Sequence, residues 1–467
     1  MPLEDGPLGI SPVREAVNDA STRVAIVWLT FLTFTIYLAI TLGTVTHRML
    51  FLGSSISLPV LKVDLPLHGF FAVAPLLSLV FHFYLLVQLI VLKQKIISFE
   101  DVLRRTTGVT ADRILLRQGL NAFPITQLMA GPGRERSSGA TAMLFCVVSI
   151  TLFFAPLIVL LQVLFVFLPY HDPVITWLHR SAIVLDMAIV WGLWLVIRQQ
   201  KSSELASERR ERNIIRLVAS FAPATLLSVF VLFIVLAVAV FPGEAIYHNK
   251  LQHFLSSRLL IGREVDEVAG RPRSLFSNVL VLPGETFVEE EKIRQQQRSV
   301  SLRGRDLRGA ILMRSDLRKA DFSGANLNEA NLYKSSLQGA WLSCIETSSA
   351  GYQSGRGVVF DLREPPYLEW PRDGCTWLQG ANLQEAELQG TSLQGAKLQG
   401  TNLALAKLQG ASLKAAWLDA SALFGTELEG ALLEGARLQG AALRVSSSVS
   451  LAAEFNVPVM CRVGFYS

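Results

Sequence analysis

Few side chains in this sequence of 467 residues have the types and the spacing that catalysis requires. His171, Asp172 and His179 lie close together, but their spacing matches no metal-binding motif. The sequence contains no phosphate-binding loop, no nucleophile elbow and no Cys-x-x-Cys pair. We therefore predict no catalytic residue, no metal ligand and no cofactor, and we expect a protein that is not an enzyme.

Two titratable side chains, His82 and Asp186, lie within long apolar stretches. An ionisable residue inside a membrane-spanning segment indicates a function unless a structural role explains it. One interpretation is that the two residues pair across helices as part of a proton or ion path. The other, which we favour, is that Asp186 lies near the membrane interface, about two turns from Arg180, while His82 makes a packing hydrogen bond.

A further group of residues lies in the segment 343–375, which interrupts the sequence pattern of the second half of the chain. Long loops without a repeat pattern are often functional. The aromatic residues Tyr352, Tyr367 and Trp370 make this loop a candidate for partner recognition. Cys344 and Cys375 bracket it. Outside the cytoplasm these cysteines would close the loop as a disulfide, and inside they would remain two thiols.

The first element that positions these residues is a membrane domain over residues 1–241. The chain is 51% hydrophobic and only 17% charged, against about 25% charged residues in ordinary globular proteins. Of five apolar stretches, four exceed 20 residues without a Lys, Arg, Asp or Glu, and such a stretch is long enough to cross a hydrocarbon layer of about 30 Å. The predicted spanning segments are 24–45, 69–92, 141–168, 181–197 and 217–241.

The distribution of basic residues predicts the orientation of these segments. Loops 93–140 and 198–216 contain fourteen Lys and Arg residues, whereas loops 46–68 and 169–180 contain three. Basic loops remain in the cytoplasm. Five crossings therefore place the N-terminus inside and the chain after Phe241 outside.

A five-residue period dominates the second half of the chain. Leu, with one Phe, occurs every five residues from 302 to 342, and Leu resumes at 378 and continues to 443. Neither the 3.6-residue period of a helix nor the 2-residue period of a strand fits this pattern. It predicts a coil with short straight sides, whose backbone pairs with the next coil about 4.8 Å away. The expected interior residues include Leu302, Leu307, Leu327, Leu332, Leu383, Leu388, Leu393, Leu398, Leu403 and Leu408.

The pattern resembles the pentapeptide-repeat family. Its consensus A(D/N)LxG is represented by Ala-Asn-Leu-Asn-Glu at 325–329 and Ala-Asn-Leu-Gln-Glu at 381–385. The resemblance covers 300–342 and 376–445, and it implies a right-handed, four-sided β-helix with four pentapeptides per coil. We therefore expect a mixed fold, in which a multi-pass transmembrane α-helical domain is followed by a pentapeptide-repeat solenoid.

The family includes soluble members that mimic DNA and inhibit topoisomerases. Between 300 and 445 this chain has fifteen basic and fifteen acidic residues, so it has no acidic surface resembling a duplex, and we expect no nucleic-acid partner. The segment 58–77 resembles bacterial membrane proteins that carry such repeats. We therefore expect the bacterial inner membrane as the location, with the lipid bilayer as one partner and the repeats outside the cytoplasm.

Residues twenty positions apart are expected to stack on one face of the β-helix. One face reads Trp377, Lys397, Trp417 and Arg437. These residues would form either a structural ladder of cation–π contacts, each worth about 0.5–1 kcal/mol at an exposed site, or a partner-binding stripe. We favour the structural interpretation.

The remaining segments complete the domain organisation. We interpret 242–299 as a linker with an N-terminal cap and 446–467 as a C-terminal cap or tail, since repeat arrays require capped ends. The leading functional hypothesis is a non-enzymatic, membrane-anchored interaction or scaffold protein with a protein partner. The alternative is a small transporter or channel whose β-helix gates or assembles the membrane domain. The sequence does not predict the oligomeric state.

Overall fold

A computed structural model describes residues 10–58, 62–106, 110–130, 138–202, 225–236, 265–266, 271–272, 277–288, 290–295, 297–345 and 374–444. The N-terminal part is helical. Its helices are α1 (Ile10–Gly43), α2 (His47–Leu52), α3 (Leu67–Thr106), α4 (Thr110–Gln118), α5 (Pro124–Met129), α6 (Ser138–Ser149), α7 (Ala155–Phe167), α8 (Pro173–Ser202) and α9 (Thr225–Leu236). A short hairpin of β1 (Ile56–Ser57) and β2 (Asp64–Leu65) follows α2, and a second hairpin joins β3 (Val265–Asp266) to β4 (Arg271–Pro272).

In the part of the chain that the structure describes, four helical segments are long and apolar enough to cross a membrane. They are Ile10–Gly43, Leu67–Arg105, Ala142–Tyr170 and Pro173–Gly192. Large apolar side chains along them face outwards, with Ile26, Val80 and Ile158 each about 60% exposed. Such an apolar outer surface on a helical bundle is suited to contact with lipid rather than water. Of the predicted fifth segment, 217–241, the described part is α9, a shorter apolar helix.

The helices extend beyond the apolar stretches from which they were predicted. Helix α1 begins at Ile10 rather than near residue 24, and α8 begins at Pro173 rather than near residue 181. Polar residues at the ends of a spanning helix can reach water while the backbone remains helical. The apolar stretch therefore marks the part of a helix within the hydrocarbon and not the end of the helix.

The third spanning segment contains a π-helical turn, Ile150–Phe154, between α6 and α7. Pro156 lies one residue beyond the start of α7. Proline lacks the N–H that would bond to the carbonyl four residues earlier, which here is Leu152 O. Turns of this kind often occur at functional sites.

The C-terminal part is a β-helix in which each coil has twenty residues and four paired sides. Parallel bridges join Ser301 to Asp321, and the next pentapeptides repeat the same offset. Towards the end of the array the bridges lengthen into β5 (Ala422–Phe424) and β6 (Ala442–Arg444), which pair in parallel. The repeat structure predicted from the five-residue period is therefore confirmed.

The interior of the β-helix is formed by the leucines of the repeat. All ten of the leucines chosen above have an exposed fraction of 1% or less. Small side chains such as Ala386 and Ala396 are also fully buried at the corners. Most corner residues are glycines at positive φ, as at Gly380 (66°), where a residue without Cβ is least strained.

The β-helix begins earlier than the leucine period indicates. Val281 pairs with Ile311 and Thr286 with Asp316, so residues 277–288 form two sides of a coil that precedes Leu302. A short helix, α10 (Glu290–Arg294), follows these two sides. This insertion breaks the five-residue period, so the period alone places the start of the array at Leu302.

The second interruption of the five-residue period, between Leu342 and Leu378, does not interrupt the pairing of successive coils. Asn326 pairs with Trp377 and Asn331 with Asn382, which are 51 residues apart instead of 20. The additional 31 residues fall within the segment 343–377. The leucines at 342 and 378 are 36 residues apart, one more than a multiple of five. This change in register reflects the length of the insertion and does not alter the stacking of the sides.

Candidate functional site

The His82–Asp186 pair lies inside the helical bundle. His82 Nδ1 is 2.6 Å from Asp186 Oδ1, and His82 Nε2 is 3.0 Å from Leu152 O, the carbonyl that Pro156 leaves open. The two side chains are 1% and 5% exposed. Phe31 stacks on the imidazole with ring centroids 5.2 Å apart. We call His82 and Asp186 the intramembrane pair.

Asp186 and His82 lie at similar distances from the starts of their helices. Because α8 begins at Pro173, Asp186 lies thirteen residues, or about 20 Å, into the helix. His82 is at a similar depth in α3, which begins at Leu67. The structure thus adopts the pairing across helices that the sequence left open.

A second group of polar residues joins the helical bundle to the β-helix. His171, which follows the third spanning segment, has Nε2 2.5 Å from Asn278 O and Nδ1 3.6 Å from Asp306 Oδ1. Nδ1 is also 3.3 Å from Asp306 O, so both ring nitrogens face oxygen atoms. Burial raises the pKa of Asp306, but hydrogen bonds and charges from His171 and Arg308 outweigh it and hold that pKa well below its usual range.

The loop between α1 and α3 makes further contacts of this kind. Arg305 stacks on the Tyr170 ring at 4.1 Å and donates a hydrogen bond to Leu50 O at 2.9 Å. His47 Nδ1 accepts a hydrogen bond from Val281 N–H at 3.3 Å. Burial lowers the pKa of His47, which is consistent with a neutral ring that accepts a hydrogen bond.

An apolar core runs through the same contact. One cluster of buried residues continues from Phe51 and Phe167 of the helical part to Leu280 and Leu302 of the β-helix. The Phe51 and Phe287 rings are 4.6 Å apart. We call the contact of loops 46–58 and 168–172 with coil residues 277–288 and 305–308 the junction.

Trp377, Lys397, Trp417 and Arg437, here called the cation–π ladder, occupy one side of successive coils. Lys397 Nζ lies 4.7 Å from the Trp377 ring centroid and 5.5 Å from that of Trp417. Arg437 Cζ lies 4.5 Å from the Trp417 ring, and its guanidinium also pairs with Asp419 at 3.3 Å. The cations of this face are thus in contact with its own aromatic rings.

The neighbouring sides carry polar ladders. Lys407 Nζ is 3.3 Å from Glu387 Oε1, and Asn402 Nδ2 donates to Asn382 Oδ1 at 3.4 Å. Burial raises the pKa of Glu387, but its hydrogen bonds, of which that from Lys407 is the strongest, lower the pKa overall. These contacts follow the coil spacing that the sequence predicts.

The inserted loop is closed at its base. Cys344 and Cys375 form a disulfide, and Ile345 N–H donates to Gly374 O at 2.8 Å. Thr376 Oγ1 lies within hydrogen-bond distance of Ser343 O at 2.9 Å. The candidate recognition residues Tyr352, Tyr367 and Trp370 lie outside the described residues.

Sequence reasoning missed the residues of the junction. His171 was considered only as a possible metal ligand, and within the described residues no group of His, Cys, Asp and Glu has the arrangement of a metal site. One feature of the sequence could have indicated the junction: His171 lies in a short loop between two apolar stretches. A histidine buried at such a position has to pack against another part of the chain.

Comparison with known proteins confirms the repeats. The model of the pentapeptide-repeat family matches residues 298–332, 310–343 and 378–414, in 8 copies. No curated protein is significantly similar to the chain. Residues 298–343 and 378–414 therefore consist of pentapeptide repeats. In the described part of the chain they follow a helical part with four apolar helices long enough to span a membrane.

Several solved structures are similar to the repeat region. The pentapeptide repeat protein Rfr23 from the cyanobacterium Cyanothece 51142 is 30% identical over 27% of this chain and 64% of its own, with a TM-score of 0.20. HetL, a pentapeptide repeat protein involved in heterocyst differentiation regulation in Nostoc sp. strain PCC 7120, is 29% identical over 31% of this chain and 64% of its own, with a TM-score of 0.15. QnrB1, a plasmid-mediated fluoroquinolone resistance protein, is 20% identical over 33% of this chain and 63% of its own, with a TM-score of 0.16. This chain therefore spans less than two thirds of each of these proteins.

Proposed function

We propose that this protein is a non-enzymatic, membrane-anchored interaction protein of the bacterial inner membrane that displays its β-helix outside the cytoplasm. The observation that carries the proposal is the junction. The first coils pack against loops 46–58 and 168–172 through a shared apolar core and buried polar contacts. This packing supports a β-helix that lies on the same side of the membrane as these two loops.

The charges of the loops support the proposed location of the β-helix outside the cytoplasm. The two loops at the junction belong to the segments with three basic residues, while 93–140 and 198–216 at the other ends of the helices contain fourteen. Basic loops remain in the cytoplasm. This argument for an extracytoplasmic β-helix does not depend on the number of crossings after α8.

The same reasoning supports a fifth crossing. Helix α8 starts beside the junction and extends for 30 residues, about 45 Å, to Ser202 on the opposite side. The chain must return across the membrane before residue 277, where the first coil begins. Helix α9 lies within the only apolar stretch between these two points, 217–241, so we assign the crossing to this stretch.

Labelling of engineered cysteines in intact cells tests the compartment. Gln439→Cys places a thiol on the exposed surface of the last coil, and Gln118→Cys places one at the exposed end of α4, in a basic loop. In a Cys146→Ser, Cys461→Ser background we expect an impermeant maleimide to label Gln439→Cys before lysis and Gln118→Cys only after it. Labelling of Gln118→Cys alone in intact cells refutes the proposed orientation.

The inserted loop is the proposed recognition element. Its base is fixed by the Cys344–Cys375 disulfide, a bond that persists outside the cytoplasm, whereas the rings of the cation–π ladder are already in contact with cations. A photo-crosslinking residue at Tyr367 is expected to give a discrete adduct with a protein partner, and the same residue at Gln439 is expected to give none. An adduct at Gln439 alone would move the recognition surface to the coils.

The second candidate function is a small transporter or channel. The intramembrane pair is the observation that favours it, because ionisable residues within membrane-spanning segments are costly and are commonly functional. The chemistry of this pair can be examined apart from the role of the β-helix.

A further inference from the structure

The intramembrane pair has a counterpart nearer the junction. Pro75 in α3 cannot donate a hydrogen bond to Phe71 O, and His179 Nε2 lies 2.7 Å from that carbonyl. His179 is 1% exposed. Its Nδ1 is buried and has no hydrogen-bond partner among the described residues. A buried imidazole nitrogen of this kind can accept or release a proton.

The partners of His82 define how many protons the intramembrane pair holds. Nε2 faces the carbonyl oxygen of Leu152, so it must carry a proton. One further proton lies between Nδ1 and the Asp186 carboxyl group, 2.6 Å away. The pair is neutral overall whether this proton belongs to the imidazole or to the carboxyl group, and neutrality is the favoured state in a low-dielectric environment.

Gain of a proton would change both the charge of the pair and the strength of the contact between α3 and α8. A proton from a hydronium ion would bond to an oxygen of Asp186 and leave a water molecule behind. The product is an imidazolium beside a carboxylic acid, with a net charge of +1 between α3 and α8. Because such a charge is costly inside a bundle, the contact between these two helices would weaken.

Other titratable groups lie on the helices packed around the pair. On α8, His179 is seven residues from Asp186, about 10 Å towards the junction. On α1, Tyr37 is six residues from Phe31, about 9 Å in the same direction, and its hydroxyl is also buried without a partner among the described residues. Nearer the junction are Arg180 on α8, which stacks on Trp177, and His68 on α3. Tyr84 on α3 and Cys146 on α6 are exposed, and α9 contains no titratable group. The remaining charged residues of these helices lie towards their opposite ends: Arg14, Glu15, Asp19 and Arg23 on α1, Lys93, Lys95, Glu100, Asp101, Arg104 and Arg105 on α3, and Arg198 and Lys201 on α8.

We propose that the intramembrane pair is a proton-binding site and that it exchanges protons with the extracytoplasmic side by way of His179 and Tyr37. Nδ1 of His179 and the hydroxyl of Tyr37, neither of which has a hydrogen-bond partner among the described residues, lie between the pair and the junction end of the bundle. The remaining gaps of about 10 Å require water molecules or side-chain movement. Binding of a proton at the site weakens the contact between α3 and α8, and release of the proton restores it.

Infrared difference spectroscopy on the full-length protein in lipid nanodiscs tests the proposal. Spectra recorded at acid and neutral pH are expected to contain a carboxylic-acid C=O band that disappears in Asp186→Asn. The control is Asp19→Asn, which removes an exposed carboxylate at the other end of α1 and should leave the band unchanged. Asp186→Glu keeps the carboxyl group and should shift the band, which assigns it even if Asp186→Asn does not fold.

The exchange route is tested by deuterium. His179→Phe retains an aromatic ring and removes both ring nitrogens, and we expect the deuterium shift of the Asp186 band to be at least tenfold slower in this variant. An Asp186 band that does not change between about pH 4 and about pH 9 would show that the pair is a fixed structural contact. A band that changes with pH but exchanges at the wild-type rate in His179→Phe would refute the route.

Discussion

The strongest energetic prediction concerns Asp306 at the junction. Asp306 and Asp316 have the same local geometry, because each accepts hydrogen bonds from the backbone N–H and the guanidinium of the arginine two residues later. Only Asp306 also faces His171, and its side chain is 5% exposed against 22% for Asp316. The pair of substitutions Asp306→Asn and Asp316→Asn therefore isolates the contribution of the contact with the membrane domain.

The expected difference in free energy between the two substitutions follows from the burial of Asp306. Breaking a buried ion pair costs about 3–5 kcal/mol, whereas an exposed pair contributes about 0–1 kcal/mol. Because an amide keeps part of the hydrogen bonding, we expect Asp306→Asn to cost about 2 kcal/mol more than Asp316→Asn. A difference of this size corresponds to about 30-fold in an opening equilibrium.

Hydrogen exchange measured by mass spectrometry is the appropriate assay, since it reports local opening of the junction in the intact protein. Amides of residues 277–288 should exchange about 30-fold faster in Asp306→Asn than in Asp316→Asn, while amides of the distal coils remain unchanged. In His171→Gln the further effect of Asp306→Asn should be much smaller, because the partner is already absent. Equal effects of the two asparagine substitutions would refute the role assigned to His171.

The same contact predicts a pH dependence. The pKa of Asp306 is lowered in the folded protein, so its stabilising effect is complete above the usual carboxyl pKa of about 3.9 and is lost as the pH falls towards the folded value. Exchange at residues 277–288 should therefore accelerate at acid pH in the wild-type protein. In Asp306→Asn this acceleration should be reduced, and an unchanged acceleration would exclude Asp306 as its source.

Three further predictions concern the β-helix. Leu398→Ala removes a fully buried side chain and should destabilise the repeats by about 2–5 kcal/mol, measured by thermal unfolding of the full chain. Lys397→Ala removes contacts with two Trp rings and should cost about 1–2 kcal/mol in the same assay. Cys344→Ser with Cys375→Ser opens the base of the inserted loop and should increase its cleavage by protease, by lifting a constraint that is typically worth about 2–4 kcal/mol.

Matched controls make these outcomes interpretable. Leu405 is 54% exposed at a corner, so Leu405→Ala should have less than about 0.5 kcal/mol of effect. Lys414 pairs with the largely exposed Glu434, and Lys414→Ala should cost no more than about 1 kcal/mol. If Lys397→Ala and Lys414→Ala have equal effects, the cation–π ladder does not stabilise the fold. For the disulfide, equal cleavage of oxidised wild-type protein and the double serine variant would contradict the prediction.

The sequence predicts the β-helix well because each pentapeptide repeats one local environment. The five-residue period identifies interior positions such as Leu398, and the twenty-residue period places Lys397 between Trp377 and Trp417. The period fails at residues 277–288, where α10 separates two true sides of a coil from the rest. A repeat is therefore recognised from sequence only where consecutive units are uninterrupted.

The junction was less predictable because it depends on contacts between distant segments. Nothing in the period or the hydropathy of the chain places His171 beside Asp306, which is 135 residues away. Charge patterning predicted which loops face outwards, and the junction connects the repeats to those loops. Two separate properties, local charge and long-range packing, thus support one orientation.

For the contacts made by His82 and His179, the sequence predicts the acceptor carbonyl but not the histidine that donates to it. A proline in a spanning helix leaves open the carbonyl four residues before it, and Pro156 and Pro75 identify Leu152 and Phe71 in this way. In lipid such a carbonyl needs a donor from a neighbouring helix, so each proline predicts that a donor exists. Which histidine supplies it depends on the relative height of the helices, and that height follows from helix ends that the apolar stretches do not reveal.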